Sequence, residues 1–198
     1  MKPKISWLAA FSLAVCLATL CVAQDDTKYK ELPNFHQVNK HLFRGAQPNA
    51  GGIQKLKELG VRTIINLRDD DENARAEASA ARAAGLQYFN VPMSTFNRPA
   101  DETVAQVLSV ISANENQPVF IHCRRGSDRT GTIIAIYRIE HDGWTGEKAT
   151  TEAKHYGLGL WQLGMKDYIS DYYRRRSKDL NRTIKSTPIT TSARPSVH

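Results

Sequence analysis

One segment limits the fold of this chain more sharply than any other. Residues 119–131 read Val-Phe-Ile-His-Cys-Arg-Arg-Gly-Ser-Asp-Arg-Thr-Gly. The apolar piece at 118–122 has the length and branched side chains of a buried strand. It runs into a polar loop with a single glycine, and a mostly apolar stretch of helical length follows at 130–141. A buried strand that feeds a buried helix through a short loop belongs to a sheet covered by helices.

The remainder of the chain repeats that alternation. Residues 35–44 predict two short extended pieces around Asn39-Lys40. Residues 53–59 have helical apolar spacing ended by Gly60, and 61–67 form a further buried strand. Asp69-Asp70-Asp71-Glu72 opens an Ala-rich helix to Ala84, closed by Gly85. Residues 87–91 read as a strand and 92–99 as a loop. From Asp101 onward, Val104, Val107, Leu108 and Ile111 line one helical face. Helices at 145–155 and 163–175 complete a single α/β domain over 35–173, a mostly parallel sheet flanked by helices, after a linker at 24–34. In such sheets the site forms where strands end, here at 68–72, 92–99 and 123–129.

Charge narrows the function. The chain carries 27 Lys/Arg against 20 Asp/Glu, a formal charge of +7 over 198 residues. Lys2 and Lys4 fall in 1–23, and seven bases with one acid, Asp179, fall in 174–198. That leaves 18 basic and 19 acidic side chains over 24–173. The domain is near neutral, which argues against a nucleic-acid-binding face. The tail at 174–198 is polar, basic and rich in Ser, Thr and Pro, and is expected to be disordered, with at most weak contact to anionic surfaces. The composition as a whole excludes a collagen-like chain or a disulfide scaffold.

Residues 5–23 form an uncharged run rich in Leu, Ala and Val, and Cys21-Val22-Ala23 offers a cleavage site before Gln24. This is the pattern of a signal peptide at 1–23, so the mature chain is expected to be exported, periplasmic or secreted. An uncleaved N-terminal membrane anchor is the alternative. Cys16 and Cys21 lie inside that run, so a mature chain keeps only Cys123 and can form no internal disulfide. A lone thiol in an exported chain is either a buried bystander or a reactive group. Its neighbours decide which.

Those neighbours form an oxyanion site. The start of a helix offers unpaired N–H groups and the positive end of a dipole. Successive loop amides make an anion-binding concavity, and Gly126 permits the angles that close it. Arg129 adds a planar fork able to hold two phosphoryl oxygens at once. The same field favours the thiolate of Cys123, which then serves as a phosphoryl-accepting nucleophile.

The segment resembles the Cys-x5-Arg signature of the protein tyrosine phosphatase superfamily, with His122, Cys123, Gly126, Arg129, Thr130 and Gly131 at its fixed positions. The wider chain is similar to the compact dual-specificity branch, in particular small atypical enzymes of bacteria, fungi and plants. Arg44-Gly45-Ala46-Gln47-Pro48 and Ile64-Ile65-Asn66-Leu67-Arg68 share in that likeness. The resemblance implies a monomeric, cofactor-free hydrolase working in two steps on a phosphorylated protein, small molecule or lipid. Cys123 attacks phosphorus. Arg129 and the loop from Arg124 through Ser127, with Thr130 and Gly131, hold the phosphate. The Thr130 hydroxyl steadies the departing thiolate, and His122 orients the loop.

The leaving group needs a proton. The superfamily takes it from an Asp on a separate loop, yet 92–99 contains no Asp or Glu. Two candidates stand nearby. Asp128 lies inside the phosphate loop, where it resembles the acid of myotubularin-type and some bacterial tyrosine/lipid phosphatases; its other reading is an ion pair with Arg129 or a solvated loop residue. Asp101 follows the loop, where it also suits a helix cap. Arg124 and Arg125 add affinity for polyanions such as phosphoinositides or inositol polyphosphates, or else point into solvent. Asp69 to Glu72 suit a helix start better than a metal site, and Trp144 and Trp161 read as core anchors. A rhodanese-type sulfurtransferase also places a Cys between strand and helix, but Arg129-Thr130-Gly131 argues against it. A non-catalytic phosphate-binding module would have no need of both Cys123 and Arg129. A nucleotide-binding P-loop fails for lack of its Gly-Lys pair.

Overall fold

The computed structural model describes residues 29–186. The expected signal peptide at 1–23 and the tail residues 187–198 lie outside the described residues. The chain runs β1 (His36–Asn39), β2 (Leu42–Ala46), α1 (Gly52–Glu58), β3 (Thr63–Asn66), α2 (Glu72–Ala83) and β4 (Gln87–Asn90). It continues through α3 (Asp101–Ser112), a 3-10 turn (Asn114–Asn116), β5 (Val119–Cys123), α4 (Asp128–His141), α5 (Gly146–His155) and α6 (Leu163–Ser186). This is the α/β alternation expected from the sequence.

The sheet order is β1-β2-β5-β3-β4, with β1 antiparallel to β2 and every other pairing parallel. The last strand in sequence is therefore the central one. His122 pairs with Gly45 on one side and Asn66 on the other, and Cys123 pairs with Ala46. The nucleophile candidate thus leaves the middle of the sheet at its C-terminal edge, where open α/β sheets form their crevice.

Strand alternation divides the core between two faces. Ile64 and Phe120 join Leu32, Leu56, Val61, Ala81 and Leu86 beneath α1 and α2. Ile65 and Ile121 face the larger cluster built with α3 to α6, where Val107, Ile133, Ile136 and Ile169 are fully enclosed. Each such side chain contributes about 1.5–3 kcal/mol on burial. Helix α4 is buried almost without interruption from Asp128 to Tyr137, covered by the sheet and by α5 and α6. A helix wrapped on all sides has no need of a polar face, and its N-terminus is held rigidly against the sheet edge.

Three expectations are corrected. The domain begins before residue 35: Leu32 is fully buried and Tyr29 packs edge-on against Phe35. The tail does not begin at 174, because α6 continues to Ser186. Its charges hold it in place: Arg175 pairs with Asp101, Arg176 with Glu140, and Arg174 with Asp171 one turn away. Trp144 does lean on the core, beneath the cations of Arg138 and Lys148. Trp161, however, is 92% exposed and anchors nothing. Among the described residues no helix is long and apolar enough to cross a membrane.

Candidate active site

The loop between β5 and α4 is shaped by what lies behind it. Gly126 has φ of +70°, and a Cβ there would fall 2.5 Å from the carbonyl of Gly45. The loop lies directly on strand β2, and only glycine meets both conditions. Arg44, fully buried on that strand, donates from Nη2 to the Gly126 carbonyl at 2.8 Å. Burial lowers its pKa to about 10, against the pull of Glu152, Tyr156 and Cys123, and its guanidinium lies 4.4 Å from the Tyr156 ring centroid. Asn34 Nδ2 holds the Arg125 carbonyl at 2.9 Å, and the Gln47 amide reaches the Arg124 carbonyl at 3.4 Å. With their carbonyls turned back to the body, the loop peptides can present N–H groups outward.

Those donors open on a cleft of about 640 Å³. Its wall carries Cys123, Arg124, Arg125, Ser127, Asp128 and Arg129 from the loop, Arg68 and Asp69 after β3, Thr95 and Phe96 after β4, and Gln162 before α6. Ser127 is the N-cap of α4 and its side chain accepts no hydrogen bond from the helix. The first N–H groups of α4 are thus left for a ligand. Arg129 Nη1 donates to the carbonyls of Leu67 at 3.2 Å and Met93 at 3.4 Å. That tie fixes the guanidinium between the ends of two strand connections. The buried Thr130 hydroxyl has no protein partner.

Not every expected residue meets the cleft in the same way. Gly126 and Thr130 support it from behind. Gly131 donates its amide to Ser127 at 2.6 Å and packs near Ala153, so its N–H is spent within α4 and is not free for phosphate. Asp128 accepts from the Gly159 amide at 2.8 Å and from Arg125 at 3.0 Å, so its expected ion pair is made with Arg125 rather than Arg129. Asp101 is absent from the cleft. It accepts from Tyr168 at 2.7 Å and Arg175 at 2.9 Å beside a second cavity, and the N-cap of α3 is Ala100. The acidic run also divides: Asp71 caps α2, Asp70 pairs with Arg75, and Asp69 faces the cleft.

His122 is fully buried under the loop, its Nδ1 3.4 Å from the Cys123 carbonyl. Its Nε2 stands 3.2 Å from Glu77 Oε1, off hydrogen-bond alignment. Burial pushes the Glu77 carboxyl up, but His122, with help from Gln47 and Tyr88, holds it below its ordinary range. Glu77 and Gln162 escaped the sequence reading, and Arg44 entered it only through the family likeness, with no role assigned. Glu77 sits in an Ala-rich helix and Gln162 between helices, with no motif to mark either.

Comparison with known proteins accords with this geometry. The family described as a DSP-PTPase phosphatase fused to NAD+ kinase matches residues 18–168. The dual specificity protein phosphatase TpbA of Pseudomonas aeruginosa is 33% identical over 127 residues, 64% of this chain and 56% of that protein. An inositol diphosphatase of Oryza sativa, DSP2, is 35% identical over 112 residues, 53% of each. The chain spans about half the length of the curated relatives it matches. A crystal structure of TpbA with Ser for Cys at one position, in complex with pTyr, superposes with a TM-score of 0.62 at 27% identity, covering 78% of this chain and 91% of that one. The catalytic core of the PP-IP phosphatase SIW14 of Saccharomyces cerevisiae shares the fold, with a TM-score of 0.64 at 21% identity, over 79% of this chain and 96% of that one. With its phosphate loop, sheet order and arginine in place, the chain belongs to the DSP-PTPase family of the protein tyrosine phosphatase superfamily.

Proposed function

We propose that this chain hydrolyses phosphomonoesters of the protein tyrosine and dual-specificity class through a phosphocysteine. The observation that carries the reading is the convergence of Cys123, Arg129 and the open N-terminus of α4 on one cleft at the centre of the sheet edge. The Cys123 thiolate attacks phosphorus, forming S–P as the ester P–O bond breaks. Arg129 and the loop amides gather the equatorial oxygens, gripping hardest in the transition state. Asp128, the carboxylate that the loop itself brings to the cleft, supplies the proton to the leaving oxygen. Water then attacks phosphorus, S–P breaks, and inorganic phosphate leaves while the buried Thr130 hydroxyl steadies the returning thiolate.

The test is hydrolysis of p-nitrophenyl phosphate. Vanadate should inhibit it, EDTA should leave it unchanged, and Cys123→Ser should reduce it to background. Activity that survives that substitution, or dies with the chelator, overturns the mechanism. A second reading, polyanionic substrates such as phosphoinositides or inositol polyphosphates, is favoured by Arg68, Arg124 and Arg125 on the same wall. Export after cleavage near Ala23 remains our proposal from the sequence, with a retained N-terminal anchor as its alternative.

A further inference from the structure

Four large apolar side chains stand out beside the cleft: Phe96 is 81% exposed, Leu160 77%, Trp161 92% and Leu163 64%. They come from two segments that meet. Phe96 and Gln162 both line the cleft wall, and a Cβ on Gly164 would fall 3.0 Å from the Arg98 amide nitrogen. The turn that raises Leu160 and Trp161 is held in shape. Asp128 takes the Gly159 N–H, and Lys166 Nζ donates to the Leu160 carbonyl at 2.5 Å. In this rim, Phe96 and Gln162, the latter between Trp161 and Leu163 in sequence, share the cleft wall with Arg68, Arg124 and Arg125, of which Arg68 pairs with Asp71 and Arg125 with Asp128.

We propose that this rim docks the enzyme on an anionic lipid bilayer and delivers a lipid phosphomonoester to Cys123; the proposal rests on the hydrolase reading above. Phe96 lines the cleft, but Leu160, Trp161 and Leu163 line neither of the two largest cavities among the described residues, whereas recognition of a peptide's apolar residues needs pockets. A bilayer interface accepts projecting Trp, Phe and Leu directly and favours Trp there. The charge is complementary as well. Arginines behind an apolar edge match anionic headgroups lying above acyl chains. With the rim inserted, the cleft mouth faces the headgroup layer, and a terminal phosphate can reach Cys123 without the lipid leaving the membrane. For phosphatidic acid the products are diacylglycerol and inorganic phosphate, with water as the co-substrate.

The experiment uses the full chain, phosphatidylcholine vesicles carrying phosphatidic acid, a short-chain soluble phosphatidic acid and a soluble phosphotyrosyl peptide. The double variant Leu160→Ser, Trp161→Ser should lose vesicle-substrate turnover by about tenfold or more, since each buried apolar side chain is worth about that factor. Both soluble substrates should be hydrolysed as by the parent. Residues 5–23 are common to both proteins, so the difference reports the rim. In a Trp7→Phe, Trp144→Phe background, Trp161 fluorescence should shift to the blue on vesicles and be quenched by lipids brominated on their acyl chains. Unchanged vesicle turnover, or absence of quenching, overturns the proposal; a loss confined to the phosphopeptide assigns the rim to a protein partner and overturns it equally. If the parent hydrolyses nothing at all, the hydrolase reading fails, and the quenching still decides the docking.

Discussion

Two cavities of nearly equal volume open on this domain, about 640 Å³ at Cys123 and about 620 Å³ between α3, α4 and α6. The second is lined by Tyr137, Tyr168, Tyr172, Glu140 and Asp101, a set that looks as chemical as the first. Its polar groups, however, answer one another: Tyr168 donates to Asp101 and Tyr172 to Glu140, while Arg175 and Arg176 balance the two carboxylates. Burial followed by those carboxylates raises both tyrosines well above their ordinary range, so they stay protonated. At Cys123 the hydrogen-bonding capacity is left open. The Ser127 side chain takes no N–H of α4, and the Thr130 hydroxyl has no protein partner. Volume does not mark the site; unspent donors do.

The strongest way to break that contrast is to remove the donor fork. Arg129→Lys keeps the charge but loses the planar pair of N–H groups and the tie to Leu67 and Met93. We expect kcat on p-nitrophenyl phosphate to fall by about 10²–10³ with a smaller change in KM, as for loss of a transition-state donor. A loss under tenfold would mean that the loop amides alone carry the oxyanion.

A smaller effect separates the carboxylates of the two cavities. Asp128→Asn should slow alkyl phosphate esters by about 10²-fold, and p-nitrophenyl phosphate less, because nitrophenolate leaves without a proton. Asp101→Asn, in the other cavity, should leave both rates within about twofold, its cost appearing as a lower Tm from the lost charge opposite Arg175 and the weaker Tyr168 bond, about 1 kcal/mol. Asp69→Asn is the control. If the alkyl-selective loss follows Asp69, the proton comes from the loop after β3.

Element order, the strand preceding Cys123 and the identity of the phosphate loop were legible because each is local. Apolar runs, Gly126 and the Arg129-Thr130-Gly131 sequence act on their own neighbours. What was not legible depends on registers set by the sheet. Pairing Cys123 with Ala46 places Arg44 behind Gly126, and nothing in the spacing of 82 residues foretells it. Trp161 misled for the opposite reason. Composition favours burial of an isolated tryptophan, but its turn is tied down by Asp128 and Lys166 with the ring facing out. The tail misled through charge, since pairs one turn apart, and with the body, turn a basic run into a helix.

The finest contrast lies between two carboxylates held below their ordinary range, Asp71 at a helix start and Glu77 beneath the loop. Asp71 lies on the surface and is held below its ordinary range chiefly by the Ala74 amide; it caps α2 and pairs with Arg68 at 3.2 Å. Glu77 is buried, accepts from the Tyr88 hydroxyl at 3.0 Å, and faces His122 directly under Cys123. Because its folded pKa lies below the ordinary 4.5, its contribution is complete above that value and is lost as pH falls through the folded pKa. Glu77→Gln should cost about 1–2 kcal/mol at neutral pH, the scale of a hydrogen bond to a charged group. It should also flatten the decline of stability below pH 4.5 that urea unfolding is expected to show in the parent. Turnover at neutral pH should fall only a few-fold, since His122 keeps its contact with the Cys123 carbonyl. A variant that unfolds with an unchanged acid limb would show that the Glu77 carboxylate is not the group whose protonation loosens the floor of the site.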